Sequence, residues 1–158
     1  MFLPTHFPVP ETLETEAYRL RMLSIHDVVK DYDAVMTSCD RIQGVFGPST
    51  TWPVGLTFEQ DLIDLGWHQK EFQRGTSFTY TVMSLDESRC LGCVYFYPSP
   101  KQGYEAMAIL WVRTSHAELD GHLFETVKGW LSEAWPFKQV AFPGRELNWD
   151  EWLALPDL

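Results

Sequence analysis

The run Met107-Ala-Ile-Leu-Trp-Val112, bounded by Pro98-Ser-Pro-Lys-Gln-Gly103 before it and Arg113 after it, constrains the fold more than any other segment. It falls far short of the ~20 apolar residues that a membrane-spanning helix needs, so no membrane association is expected. Its apolar density suits a central strand reaching from Tyr104 to Val112 and covered on both faces. Such a strand needs neighbours at its edges and helices packed against it. A chain of 158 residues that is 45% hydrophobic can supply that core, and we expect a single domain over residues 1–158.

The flanking segments read as those neighbours. Residues 1–17, with Pro4, Pro8 and Pro10 and little periodicity, read as an extended lead-in. Tyr18-Arg-Leu-Arg-Met22 alternates as a half-buried strand does. Ser24 stands at a helix N-cap, and Ile25, Val28, Val29, Tyr32, Val35 and Met36 recur at helical steps. After a turn-rich loop holding Trp52, Thr57 and Gln60 form a capping box for a second helix that Gly75 stops. Ser77–Ser84 and Cys90–Tyr97 read as a hairpin across Asp86-Glu-Ser-Arg89. Thr114 or Ser115 caps a third helix that Pro136 ends, Gln139–Phe142 is a last strand, and Asn148 or Trp149 opens a final short helix. The predicted class is α/β (α+β), in the order β-α-α-β-β-β-α-β-α.

A formal net charge of −10 repels nucleic acid phosphates and anionic lipid, and favours encounter with cationic molecules. The N-terminus shows no secretory signal, and the sparse cysteines form no disulfide framework, so a soluble, cytoplasmic protein is expected. Cys90 and Cys93 form a Cys-x-x-Cys pair, but with no second pair and with strand-like flanks they read as buried strand cysteines. No metal is expected. Nucleophile elbows, phosphate loops and zinc-spaced histidines are missing from the sequence.

Several strings are similar to those of the GNAT superfamily of acyl-CoA-dependent N-acyltransferases. Tyr18-Arg-Leu-Arg-Met-Leu-Ser-Ile-His-Asp27 resembles the family's opening strand and turn, with Met22 in place of the usual proline. Arg89-Cys-Leu-Gly-Cys-Val-Tyr95 resembles its third strand, and Ala108-Ile-Leu-Trp-Val-Arg113 its fourth strand and exit. The resemblance implies a mixed, mainly antiparallel sheet flanked by helices, whose fourth and fifth strands part. Acetyl-CoA, as co-substrate, would then hydrogen-bond like an extra strand to the backbone of Trp111, Val112 and Arg113. The third helix, starting after Thr114 and Ser115, would point its positive end at the pyrophosphate. The family's Arg/Gln-x-x-Gly-x-Gly/Ala loop is replaced by Arg113-Thr-Ser-His-Ala-Glu-Leu-Asp-Gly-His122, and Met107 falls about where many members carry a strand carboxylate.

Acyl transfer to an amine needs a base, a polarised carbonyl and support for the departing sulfur. Candidate catalytic residues are Glu105, two positions from Met107; His68, near the end of the second helix; and Tyr95 on the third strand, whose phenol could serve the sulfur. Arg113 is the candidate phosphate fork. Trp52, in the Gly/Pro loop, and Tyr80 are candidates for the acceptor pocket. The expected activity is transfer of an acetyl group to an amine acceptor, with homodimerisation left open. The rival expectation is a catalytically inactive GNAT-shaped binding or oligomerising module, since fold alone does not establish activity.

Overall fold

The computed structural model describes residues 2–158. One six-stranded sheet holds β1 (Thr12–Glu14), β2 (Arg19–Met22), β3 (Phe78–Met83), β4 (Cys90–Pro98), β5 (Ala106–Val112) and β6 (Val140–Ala141), in sequence order. Neighbours from β1 to β5 are antiparallel, and β6 joins β5 in parallel. Helices α1 (Val28–Met36), α2 (Cys39–Ile42) and α3 (Phe58–Arg74) lie between β2 and β3. The crossover that a parallel pair requires is α4 (Asp120–Ala134), and α5 (Trp149–Ala154) follows β6.

The sheet is mixed, mainly antiparallel and flanked by helices, and its element order departs from the expected one in three places. The lead-in contributes a strand: Thr15 turns the chain by accepting from the Tyr18 N–H, and Leu13 then pairs with Leu20. The short α2 follows α1 directly. The third long helix begins at Asp120, because Thr114–Leu119 forms a 3-10 segment in which His116 leaves helical geometry (φ −129, ψ 32). Capping elsewhere follows the sequence: Thr57 and Gln60 exchange bonds of 3.2 and 3.1 Å, and Gly75 ends α3 in the left-handed region (φ 71).

Period-two alternation sorts the strand residues between two cores. Tyr80, Val94, Phe96, Ala108 and Leu110 meet Leu123, Val127, Trp130 and Leu131 of α4 on one face. Cys93, Tyr95, Ile109 and Trp111 meet Val28, Val35 and Leu65 of α1 and α3 on the other. A register shift at Val82/Met83 lets Cys90 and Cys93 share that second face. Both thiols are fully buried, and burial pushes Cys90 up to about 12 and Cys93 up as well, so they are unreactive core groups.

Gly92 sets the separation of β4 and β5. A Cβ there would stand 2.1 Å from the Trp111 carbonyl oxygen, which is backbone and cannot swing aside. Gly92→Ala is expected to cost about 3 kcal/mol through overpacking, read as a lowered urea midpoint; an unchanged midpoint would mean that the two strands yield at no cost.

Candidate active site

β5 and β6 pair at two positions, Ala106 with Val140 and Met107 with Ala141. From Ala108 onward no strand among the described residues lies beside that edge of β5. The opposite edge stays paired with β4 as far as Gly92 and Val112, and the Arg113 N–H still donates to the Leu91 carbonyl at 2.8 Å. Main-chain groups alternate along an antiparallel pair. Trp111 and Arg113 therefore turn their peptide groups to β4, while Leu110 and Val112 turn theirs to the open edge. Arginines reach both carbonyls there: Arg145 Nη2 donates to Leu110 O at 3.2 Å and Arg41 Nε to Val112 O at 3.3 Å. The resulting notch is a cavity of about 270 Å³ bordered by Arg41, Val45, Ile109, Leu110, Arg145 and Trp149.

The same arginines converge on Asp120, the first residue of α4. Arg145 grips its carboxylate with bonds of 2.8 and 2.9 Å, and Arg41 lies 3.6 Å away. Hydrogen bonding to Arg145 holds the Asp120 carboxyl below the usual carboxylate range, against the opposing effect of burial. Two guanidinium groups beside a helix N-terminus attract anions, and Asp120 supplies one from within the chain.

A second cavity, of about 260 Å³, lies on the α1–α3 face. Phe46, Trp52, Tyr95 and Tyr97 are its aromatic walls, and Asp31, Asp61, Asp64 and His68 also line it. The three- and four-residue steps from Asp61 through Asp64 and Leu65 to His68 lay one stripe of α3 against it. The two cavities are neighbours. Ile109 borders the notch while its cross-strand partner Tyr95 borders the pocket, and Val45 borders the notch while Phe46 borders the pocket. Between them, the Phe46 and Tyr95 rings meet edge to face with centroids 5.0 Å apart.

Burial governs the titration of this pocket. It lifts the Asp31 carboxyl well above its ordinary value, reinforced by the negative charge of Asp61. It lifts Asp61 to about 6, although its hydrogen bond with Asp31 pulls the other way. Burial raises Asp64 too, with the nearby His68 opposing, and lowers His68 against the pull of Glu71 and Asp64. His68 is thus a neutral imidazole at pH 7, its Nδ1 held 3.2 Å from Thr79 Oγ1. Tyr95 is pushed far above the usual phenol range by burial, keeps its proton, and accepts a 3.0 Å bond from the Trp111 indole N–H. A neutral base and a phenol donor thus share a small cavity beside an open strand edge.

No family model matches the sequence, and no curated protein does. Solved structures do resemble this one. RimL, a ribosomal L7/L12 alpha-N-protein acetyltransferase in complex with coenzyme A, superposes with a TM-score of 0.61 and 17% identity, over 77% of this chain and 66% of that one. The ribosomal-protein-S5-alanine acetyltransferase from Vibrio fischeri gives 0.60 and 14%, over 78% and 68%. MccE, a microcin C7 self-immunity acetyltransferase in complex with acetyl-CoA and AMP, gives 0.59 and 12%, over 79% and 67%.

The chain has the GNAT fold. Within it, His68, Tyr95 and Trp52 come together in the second cavity, with Trp111 beneath them at 6.3 Å between its ring centroid and that of Trp52. Other sequence candidates lie elsewhere. Glu105 precedes β5, and its carboxylate accepts from the Lys138 N–H at 2.5 Å, away from both cavities. Tyr80 points into the α4 core, donates to the Pro10 carbonyl and lines neither cavity. Arg113 is buried, is bonded to Asp33 at 3.0 Å and to the Cys90 carbonyl at 3.1 Å, and borders neither cavity. Of the three backbone positions expected to meet the coenzyme, Val112 turns its peptide group to the open edge and Trp111 and Arg113 turn theirs to β4, and none of the three borders the notch cavity. The Thr114 N–H is taken by Ser38 Oγ, and Ser115 Oγ pairs with His116 rather than capping α4. Missed were Leu110, Arg41, Arg145 and the three aspartates. Strand periodicity could have found Leu110 once one register was known, but nothing in the sequence joins Arg41 to Arg145 or Asp31 to Asp61. No group of His, Cys, Asp or Glu able to hold a metal occurs among the described residues, nor is any helix there long and apolar enough to cross a membrane.

Asp61 binds its proton more tightly in the native chain than in the unfolded one, so it favours folding at low pH. That contribution is lost as pH rises from about 4 to about 6. Asp61→Asn should therefore lose less thermal stability than the parent across this window, measured by the midpoint against pH. Equal losses would place Asp61 in an ordinary solvated setting.

Proposed function

We propose that the chain is an acyl-CoA-dependent N-acyltransferase that moves an acetyl group from acetyl-CoA to an amine. The observation that carries this reading is the open edge of β5, with two arginines at its mouth and a pocket holding His68 immediately beside it. The pantetheine amides would pair with the main chain of Leu110 and Val112, groups that otherwise lack a strand partner. Arg41 and Arg145 would meet the pyrophosphate in place of the missing glycine loop, exchanging the Asp120 carboxylate for phosphate oxygens. The likeness to RimL in complex with coenzyme A and MccE in complex with acetyl-CoA supports the use of such a coenzyme.

In this reading an incoming ammonium gives one proton to His68 and attacks the thioester carbonyl as a neutral amine. A notch-facing N–H of β5 polarises that carbonyl. As the carbon–nitrogen bond forms and the carbon–sulfur bond breaks, the second nitrogen proton ends on the coenzyme sulfur, and His68 returns its own to solvent. Tyr95 holds its proton too firmly to surrender it, so its part is hydrogen bonding. The acceptor is an amine on a small molecule or on one residue of a larger one, as the 260 Å³ cavity suggests.

Coenzyme A is expected to raise the thermal midpoint of the protein, since a ligand of the native state stabilises it. Arg145→Ala should weaken coenzyme binding by about tenfold or more, and Asp120→Asn should strengthen it by removing the competing anion. Absence of any response at millimolar coenzyme would identify a GNAT-shaped module that does not use it. Once an acceptor is in hand, His68→Gln should lower kcat by about a hundredfold or more and abolish the acid limb of the pH–rate profile; an unaltered profile would remove His68 as the base.

A further inference from the structure

Among the described residues, no lysine or arginine lines the acidic end of the second cavity, and the nearby imidazole is His68, which acts on Asp64. Asp31, Asp61 and Asp64 line that end. The nearby charges acting on Asp31, from Asp61, Asp27 and Asp64, are all negative. Asp61 is only 3% exposed, and its Oδ2 has no hydrogen-bond partner beyond what a proton shared with the Asp31 carboxyl provides. Burying this charge costs stability, and the chain bears that cost beside walls formed by Phe46, Trp52 and Tyr97, whose ring faces attract cations. The site therefore suits a desolvated organic cation.

That cation is placed at Asp61, apart from the nitrogen that reacts, because the pocket keeps its neutral imidazole at the far end of the α3 stripe, where Asp64, one turn away, and Glu71, 3.9 Å from the His68 Nδ1, are the neighbouring carboxylates. Asp61 and His68 are separated by 68 − 61 = 7 residues of helix, which at 1.5 Å per residue is about 10 Å of axis. The stripe thus has an anionic end and a basic end, and a linear molecule with a nitrogen at each end matches both.

We propose that the Asp31–Asp61–Asp64 end of the cavity is a subsite for the second, unreacting ammonium of a small aliphatic diamine, with Asp61 as its principal counter-ion and Trp52 and Phe46 as its walls. Assignment of the other nitrogen to acylation rests on the function proposed above; the subsite itself does not. Its cation recognition is therefore measurable without coenzyme.

The test is isothermal titration of the full chain with 1,4-diaminobutane and, separately, with butylamine. The diamine should bind about tenfold or more tightly than the monoamine, and Asp61→Asn should reduce that preference to less than about threefold. Near-ultraviolet circular dichroism checks that the variant keeps its packing; should it not fold, Trp52→Leu is expected to weaken the diamine about fivefold. Equal affinity for the two amines, or a preference that survives Asp61→Asn, overturns the subsite. The outcomes also separate the two proposals. Diamine binding without acetylation from acetyl-CoA would leave the subsite and remove the transferase, while acetylation that does not distinguish diamine from monoamine would do the reverse.

Discussion

The separation of β5 from β6 beyond Met107 governs the rest of the molecule. A strand buried on both faces must still satisfy the N–H and C=O groups along each edge, and here one edge loses its partner partway along. The chain meets that demand with side chains, bringing Arg145 to Leu110 and Arg41 to Val112. Those two bonds tie the loop after β6 and the short α2 to the centre of the sheet. They also place positive charge where an extended, anionic ligand would emerge.

The notch and the neighbouring pocket are complementary in charge and differ in how that charge is balanced. At the notch, Asp120 neutralises the arginines through bonds that hold its carboxyl ionised below the usual range. In the pocket, no lysine or arginine among the described residues faces the aspartates, and burial drives them to retain protons. The two arginines thus meet an anion from within the chain, whereas no lysine or arginine lines the pocket beside the three aspartates. The rings of Phe46 and Tyr95 meet between them, and Tyr95 of the pocket pairs across β4–β5 with Ile109 of the notch.

Much of the scaffold was legible in the sequence because its determinants are local. The Thr57–Gln60 capping box, the Gly75 stop and the alternation along β3 to β5 each depend on residues a few positions apart. The β1 strand was hidden because its three residues lie after a proline-rich stretch and acquire strand geometry only by pairing with β2. The late start of α4 was hidden because Thr114 and Ser115 are good capping residues whose polar groups are drawn instead to Ser38 and His116. For the same reason Arg113, well placed by sequence at a strand exit, is drawn inward to Asp33 and the Cys90 carbonyl.

By itself, the sequence determined the central strands and the long helices, which strand faces are apolar, and that His68, Tyr95 and Trp52 have chemistry suited to acyl transfer or an acceptor pocket. Tertiary structure alone decided that these three share a cavity, that Leu110 rather than Trp111 faces the open edge, and that Asp31 of α1 meets Asp61 of α3. The physical reason is range: caps and alternation act within one turn or one strand, whereas desolvation and charge pairing depend on segments that become neighbours only when the sheet closes beneath both helices.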